Sequence, residues 1–168
     1  MIVMDEDTCM VDVARYFIDF LVDESCGKCT PCREGLFALA ATLRRICDGQ
    51  GREGDLDFLA ELSGTVRDTS LCQLGGSAPN PVLSTLRYFR EEYLEHIREK
   101  RCRAGVCREI ITYSINPEAC DGCAACRRPC PTGAIEGERK KVHSILYGKC
   151  IKCGICVEVC KRGAVEVR

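Results

Sequence analysis

The sequence predicts an α+β fold, in which an all-α bundle is followed by a small domain of short strands. Before residue 98, apolar residues recur at helical spacing in four stretches. After residue 115, two cysteine runs of the same spacing each end in a short apolar stretch that favours a strand. The chain of 168 residues is long enough for two small domains, which we place at residues 1–97 and 116–168 with a linker at 98–115.

Helices account for the first of these domains. A Pro-Asn-Pro stretch at 79–81 is suited to opening the last helix, and an Asp-Gly-Gln-Gly stretch at 48–51 to ending the second. The apolar pattern predicts helices over residues 10–21, 33–47, 56–66 and 82–97. In the rest of the chain, short strands are expected within residues 110–115, 134–136 and 164–167.

Two cysteine runs with the spacing C-x2-C-x2-C-x3-C dominate the second domain. Such runs hold two [4Fe-4S] clusters in bacterial ferredoxins, where the fourth cysteine of each run ligates the other cluster. The spacing therefore predicts a ferredoxin-like domain with crossed ligation. One cluster is expected on Cys120, Cys123, Cys126 and Cys160, and the other on Cys150, Cys153, Cys156 and Cys130.

A third cysteine run lies in the predicted bundle and offers three ligands at C-x2-C-x2-C spacing. A fourth ligand has to come from elsewhere in the chain. Cys72 lies in a predicted loop just before a Gly pair, where the chain can turn back towards the run. We therefore expect a third [4Fe-4S] cluster on Cys26, Cys29, Cys32 and Cys72.

Disulfides and zinc are the alternative explanations for sixteen cysteines in so short a chain. A secreted disulfide scaffold is disfavoured because the N-terminus lacks the basic region and apolar core of a signal peptide. A single tetrahedral zinc would leave thiolates over in each run. Iron-sulfur clusters are therefore the preferred interpretation.

The linker contains its own group of candidate ligands. Cys102 and Cys107 form C-x4-C, and His96 lies just upstream of them. With Cys47 as a fourth donor, these side chains would form a Cys3His zinc site that joins the two domains. The alternative is a solvated His96 with two buried or reactive thiols.

The sequence predicts no metal-binding role for two further cysteine and histidine side chains. Cys9 has no partner at metal-ligand spacing, so we expect a buried free thiol. His143 stands alone in a strand-like stretch, and we expect it at the surface.

Three stretches of the bundle resemble a known family. They are Asp5 to Phe17, ESCGKCTPCREG from Glu24 to Gly35, and SLCQLGGSAPNP from Ser70 to Pro81. They resemble the C-terminal helical region of the flavin- and NADH-binding subunit of respiratory complex I and its soluble relatives, and the resemblance covers about residues 1–97. It implies that the cluster on Cys26, Cys29, Cys32 and Cys72 accepts electrons from reduced FMN.

The two-cluster tail narrows the resemblance to the flavin subunits of multimeric NAD(P)-linked [FeFe]-hydrogenases, some of which bifurcate electrons. This implies partners: an FMN- and NADH-binding segment or subunit, a hydrogenase-type catalytic subunit, a [2Fe-2S] thioredoxin-like subunit and a soluble ferredoxin. Relatives with such a tail also pair with formate dehydrogenases or acyl-CoA-type reductases. No G-x-G-x-x-G or P-loop is present, so we expect FMN and NAD(P) to bind elsewhere, with this chain a fragment or split gene product.

The expected function is electron transfer through three [4Fe-4S] clusters, with no hydride-transfer site in this chain. A stand-alone ferredoxin-like carrier is the rival hypothesis. Lys and Arg total 24 against 25 Asp and Glu, so nothing favours nucleic acid as a partner. No apolar run approaches the ~20 residues that span a bilayer. We expect a soluble cytoplasmic protein.

Overall fold

Helices and strands separate along the chain in the order that the sequence predicts, and the α+β class is confirmed. The computed structural model describes residues 4, 5 and 7–167. It divides the chain into two units, Met1–Ile110 and Ile111–Arg168. Below they are called the helical unit and the cluster-repeat unit. The boundary falls inside the segment 98–115, so most of the predicted linker belongs to the helical unit.

The helical unit contains six α-helices and one π-helical turn among the residues that the structure describes. The first three helices contain the predicted ranges and extend them by one to three residues at most ends. The α-helices are α1 (Met10–Glu24), α2 (Thr30–Cys47), α3 (Asp55–Thr69), α4 (Gln73–Ser77), α5 (Asn80–Tyr88) and α6 (Arg90–Leu94), and the π-helical turn covers Glu95–Glu99.

Helix α2 lies at the centre of the helical unit and packs against both α1 and α3. Its apolar face, which includes Leu36, Leu39 and Leu43, is fully buried. Gly35 is required where α3 crosses this helix, because a Cβ atom there would lie 2.2 Å from Val66 Cγ2. Burial of such leucine side chains contributes about 1.5–3 kcal/mol each and fixes the framework that carries the cysteines.

The prediction of one continuous helix over 82–97 is wrong, because α5, α6 and the π-helical turn occupy this segment as three separate elements. Phe89 leaves the helical region with φ −129° and ψ 32°, so α5 ends there and α6 begins at a new angle. A hydrogen bond of 2.8 Å between the hydroxyls of Thr85 and Tyr93 holds the two pieces together. The π-helical turn then brings His96 into the interior before Lys100 ends it in the left-handed conformation.

Two antiparallel strand pairs form the framework of the cluster-repeat unit. The outer pair joins the first and last strands in register Tyr113↔Val167, and the inner pair joins the middle strands in register Ile135↔Ile145. The ends of the unit are therefore held together while both cysteine runs lie between them. The elements are β1 (Tyr113–Ile115), β2 (Ile135–Glu136), β3 (Ser144–Ile145), α7 (Ile155–Glu158) and β4 (Val165–Val167).

None of the helices described here has the length and apolar character needed to cross a membrane.

Candidate metal centres

The four cysteines predicted in the helical unit, Cys26, Cys29, Cys32 and Cys72, line one recess. Cys29 is the residue that precedes α2, and Cys32 lies in the first turn of that helix. Cys72 occupies the corresponding place before α4. The close approach depends on Gly75, because a Cβ atom there would meet Ser70 at 2.4 Å and the Cys32 Cβ at 3.3 Å. The short helix can therefore lie close enough to place Cys72 beside the run.

Backbone groups favour the thiolate form that ligation requires in this recess. The N–H groups of Leu71 and Cys32 lower the pKa of the Cys29 thiol by hydrogen bonding to its sulfur. The hydroxyl of Ser25 lies 3.4 Å from Cys32 Sγ. N–H and O–H groups directed at sulfur also stabilise a negatively charged cluster.

In the cluster-repeat unit, a second recess is lined by Cys130, Cys150, Cys153 and Cys156. This set combines three cysteines of the second run with the fourth of the first run, as the crossed pattern predicts. Tyr113 and the apolar side chains of the inner strand pair complete the lining. The backbone N–H groups of Ala134 and Thr132 hold the pKa of Cys130 below its usual value, although burial opposes them.

The remaining four cysteines of this unit are Cys126 and three neighbours whose charges act on it, Cys120, Cys123 and Cys160. Burial raises the pKa of the Cys126 thiol, and repulsion from the sulfurs of Cys160, Cys120 and Cys123 raises it further. Cys160 is fixed by the N–H of Ala164, which donates to its sulfur over 3.3 Å. The fourth cysteine of the second run is therefore close to the first run.

The backbone repeats its conformation in the two runs. Each run has left-handed residues at the second and fourth positions after its first cysteine: Gly122 and Ala124 in one, Lys152 and Gly154 in the other. These turns bend the chain so that successive cysteines face the same side. Gly122 is also required for space, because a Cβ there would lie 2.5 Å from the Lys141 backbone.

A separate cluster of donors lies inside the helical unit. The ligand atoms of Cys9, His96, Cys102 and Cys107 all lie within 4.8 Å of one another, and all four residues are buried. His96 Nε2 is 3.4 Å from Cys9 Sγ and 3.3 Å from Cys107 Sγ. His96 Nδ1 donates to the carbonyl of Glu92 over 2.7 Å, which leaves the Nε2 lone pair free to bind a metal.

The structure places Cys9, rather than Cys47, with the three other predicted donors. Cys47 lies in an adjoining group with Asp12 and Cys107. Cys9 is buried, as expected, but it is not isolated, because the start of α1 lies against the π-helical turn. The N–H of Met10 donates to the Glu92 carboxylate over 2.9 Å and secures that position. No local spacing could have revealed a partner 87 residues away.

Hydrogen bonds among these four donors shift their pKa values. The hydrogen bond from Cys107 is the main cause that lowers the pKa of Cys102, and the same bond raises the pKa of Cys107. Burial alone would lower the pKa of His96, but hydrogen bonds to Cys102 and Cys9 raise it to about 10. A soft divalent cation satisfies three sulfurs and one imidazole nitrogen and displaces these protons, so the donor set fits zinc.

The prediction that His143 lies at the surface is wrong. Only 2% of the residue is exposed, and neither ring nitrogen has a hydrogen-bond partner.

Four cysteines line a recess between helices, four line a recess beside the short strands, and four more form a third group. This arrangement defines an iron-sulfur protein. Comparison with known families supports this class. Residues 12–96, half of the chain, match the NADH-ubiquinone oxidoreductase-F iron-sulfur binding region. Residues 112–161 match the 4Fe-4S dicluster domain. The chain belongs to the NADH-ubiquinone oxidoreductase-F iron-sulfur binding region family, and it is an iron-sulfur electron-transfer region.

Curated relatives show how the two units combine. NADP-reducing hydrogenase subunit HndC of Solidesulfovibrio fructosivorans is 51% identical over 85% of this chain and 29% of its own length. The F subunit of NADH-quinone oxidoreductase from Streptomyces coelicolor is 47% identical over 58% of this chain and 22% of its own length. The chain therefore spans about a quarter of these relatives.

Among solved structures, an NAD+-reducing [NiFe]-hydrogenase in the H2-reduced state is similar with a TM-score of 0.54 and 35% identity. The match covers 56% of this chain and 17% of that one.

Proposed function

We propose that this chain relays single electrons through three [4Fe-4S] clusters. The observation that carries the proposal is the grouping of twelve cysteines into three sets of four, two of which line a recess. One cluster would be held by Cys26, Cys29, Cys32 and Cys72, and the other two by the crossed sets of the cluster-repeat unit. When bound, each cluster accepts and returns one electron.

The surrounding residues set how readily each cluster is reduced. N–H groups that point at cysteine sulfur, such as those of Leu71 and Ala164, stabilise the added negative charge and raise the reduction potential. Apolar walls, such as Ile135 and Ile145, exclude water and act in the opposite direction. The two crossed sets share their runs, which keeps the two clusters close enough to exchange electrons.

The relatives suggest where electrons enter and leave. HndC matches 143 residues of this chain, whereas the Streptomyces oxidoreductase matches 98, about the length of the helical unit. This favours a hydrogenase-type complex over complex I itself. We propose that the donor is a flavin on an NADH-binding segment or subunit. The acceptors are a hydrogenase-type catalytic subunit, a [2Fe-2S] thioredoxin-like subunit or a soluble ferredoxin, all in the cytoplasm.

We also propose zinc in the site formed by Cys9, His96, Cys102 and Cys107. Its four donors come from both ends of the helical unit, so the bound ion would tie the start of α1 to the segment after the π-helical turn. The role is structural, because four protein ligands leave no open position for a substrate.

Metal analysis of the full chain, reconstituted with iron and sulfide under argon, tests this function. Three clusters give about 12 iron atoms per chain, and the zinc site adds about one zinc. Cys72→Ser should lower the iron count by about four and should remove the electron paramagnetic resonance signal of the helical-unit cluster, while the signals of the other two clusters remain. About eight iron atoms in the unmodified chain would contradict the third cluster. A colourless protein without a signal after dithionite reduction would contradict all three.

A further inference from the structure

His143 is a buried polar side chain without a partner among the residues that the structure describes. Both of its ring nitrogens are inaccessible to water, and neither makes a hydrogen bond within that part of the chain. Burying an imidazole N–H without an acceptor is costly, because the group loses its hydrogen bond to water and gains none in return. A group that is absent from the polypeptide must therefore supply the acceptor.

The internal repeat indicates which group this is. His143 lies seven residues before the first cysteine of the second run, and Tyr113 lies seven residues before the first cysteine of the first run. Tyr113 is paired with Val167, and the register of the inner strands places His143 opposite Gly137 in the same way. Tyr113 lines the recess of the second run's cysteines. By the symmetry of the repeat, His143 faces the cysteines of the first run.

Contacts of the hairpin between β2 and β3 support this position independently. The N–H of Lys140 donates to the carbonyl of Gly122 over 3.0 Å. The Arg127 guanidinium donates to the carbonyl of Gly137 over 2.9 Å. Gly137 is also close to the imidazole, because a Cβ there would lie 2.8 Å from His143 Cγ. The start of the hairpin loop at Gly137 and its middle at Lys140 are thus held against the first run, and His143 is the last residue of the same loop.

We propose that His143 donates a ring N–H to a sulfur atom of the cluster held by Cys120, Cys123, Cys126 and Cys160, and that this bond raises the reduction potential of that cluster. The inference rests on the proposed function. A hydrogen bond to sulfur is stronger in the more negative, reduced state, so it favours the electron on this cluster. At the equivalent position the second cluster faces Tyr113 instead of an imidazole. The repeat therefore makes the two clusters unequal.

Redox titration of the reconstituted full chain, followed by electron paramagnetic resonance, tests the energetic part. His143→Phe keeps a ring in the site and removes both nitrogens. We expect at least a tenfold shift towards the oxidised cluster at fixed potential, equal to 59 mV for one electron. Val142→Ala, at the exposed neighbouring position, is the matched control and should leave the potential in place. An unchanged His143→Phe titration, or an equal shift in the control, would overturn the proposal.

A second measurement takes its main result from the unmodified chain. The chain contains two histidines, so labelling histidine with 15N marks only His143 and His96. Pulsed electron paramagnetic resonance of the reduced chain should show a 15N coupling to one cluster, and His143→Phe should abolish it. A normal cluster signal without that coupling would refute the role of His143 alone. Absence of any cluster signal would instead refute the proposed function.

Discussion

Cys9 shows how one side chain can determine a site that its neighbours in sequence do not reveal. Its sulfur lies 3.8 Å from Cys107 Sγ and completes the set of four buried donors. We expect Cys9→Ser to abolish stoichiometric zinc binding, because a neutral hydroxyl is a poor replacement for a thiolate ligand. Inductively coupled plasma mass spectrometry of the purified variant measures the change.

Cys47→Ser is the matched control for that experiment. Cys47 is also buried and adjoins Cys107, but it lies outside the four-donor set. Its replacement should leave about one zinc per chain, as expected of a side chain that is not a ligand. If the Cys47 variant lost zinc and the Cys9 variant retained it, the result would support Cys47 as the fourth ligand, as the sequence suggested.

Gly122 allows a test of whether cluster binding by the first run needs the close approach of the hairpin. Gly122→Ala forces a Cβ to within 2.5 Å of the Lys141 backbone, where no flexible side chain can yield. Gly133 has the same left-handed φ and open space around it, so Gly133→Ala incurs only the left-handed strain of about 1–2 kcal/mol. We expect Gly122→Ala to lose iron from the first run during reconstitution, and Gly133→Ala to retain it. Equal iron contents would show that the close approach of the hairpin is unimportant.

At the level of elements, the pairing of α2 with α3 has a polar anchor. Asp55 is buried, accepts from the Arg45 guanidinium at 2.5 Å and accepts from the N–H of Arg52 at 2.8 Å. Asp55→Ala should destabilise the helical unit by about 1–3 kcal/mol, because it removes the hydrogen bonds that a buried carboxylate accepts from Arg45 and Arg52. Urea unfolding of the full chain, followed by far-ultraviolet circular dichroism, measures this loss.

Glu53→Ala serves as the control for that measurement. Glu53 pairs with Arg98 in an exposed ion pair at 3.0 Å. Such surface pairs contribute little to stability, because water and salt screen their charges. An equal loss of stability in both variants would mean that Asp55 acts as an ordinary surface charge.

Element types were predictable because they depend on short-range regularities. The 3.6-residue period identified α1, α2 and α3, and the C-x2-C spacing predicts the crossed sets proposed for the cluster-repeat unit. The break at Phe89 and the π-helical turn were not predictable, since an apolar period continues through them. The same limit explains Cys9 and His143, whose surroundings are created by contacts between distant segments.

On the scale of the whole molecule, the two units depend on different sources of stability. The helical unit has a core of leucine, isoleucine and valine side chains, whereas the cluster-repeat unit has short strands and few large buried residues. An iron-selective chelator such as bathophenanthroline, added with dithionite, should therefore unfold residues 111–168 first. Hydrogen exchange followed by mass spectrometry should show lost protection there and continued protection in α1 to α3. Simultaneous loss in both units would contradict this.

Each of the three cysteine groups includes at least one side chain at the surface: Cys26 and Cys72, Cys123, and Cys153. A docked protein can approach a cluster most closely at such a corner. Dioxygen can reach the same exposed cysteines. An opening that speeds electron transfer to a partner therefore also speeds oxidative damage to the cluster in air. Exposure of these thiols therefore favours both electron transfer and oxidation. A partner that stays bound would accept electrons and also limit the access of dioxygen to the clusters.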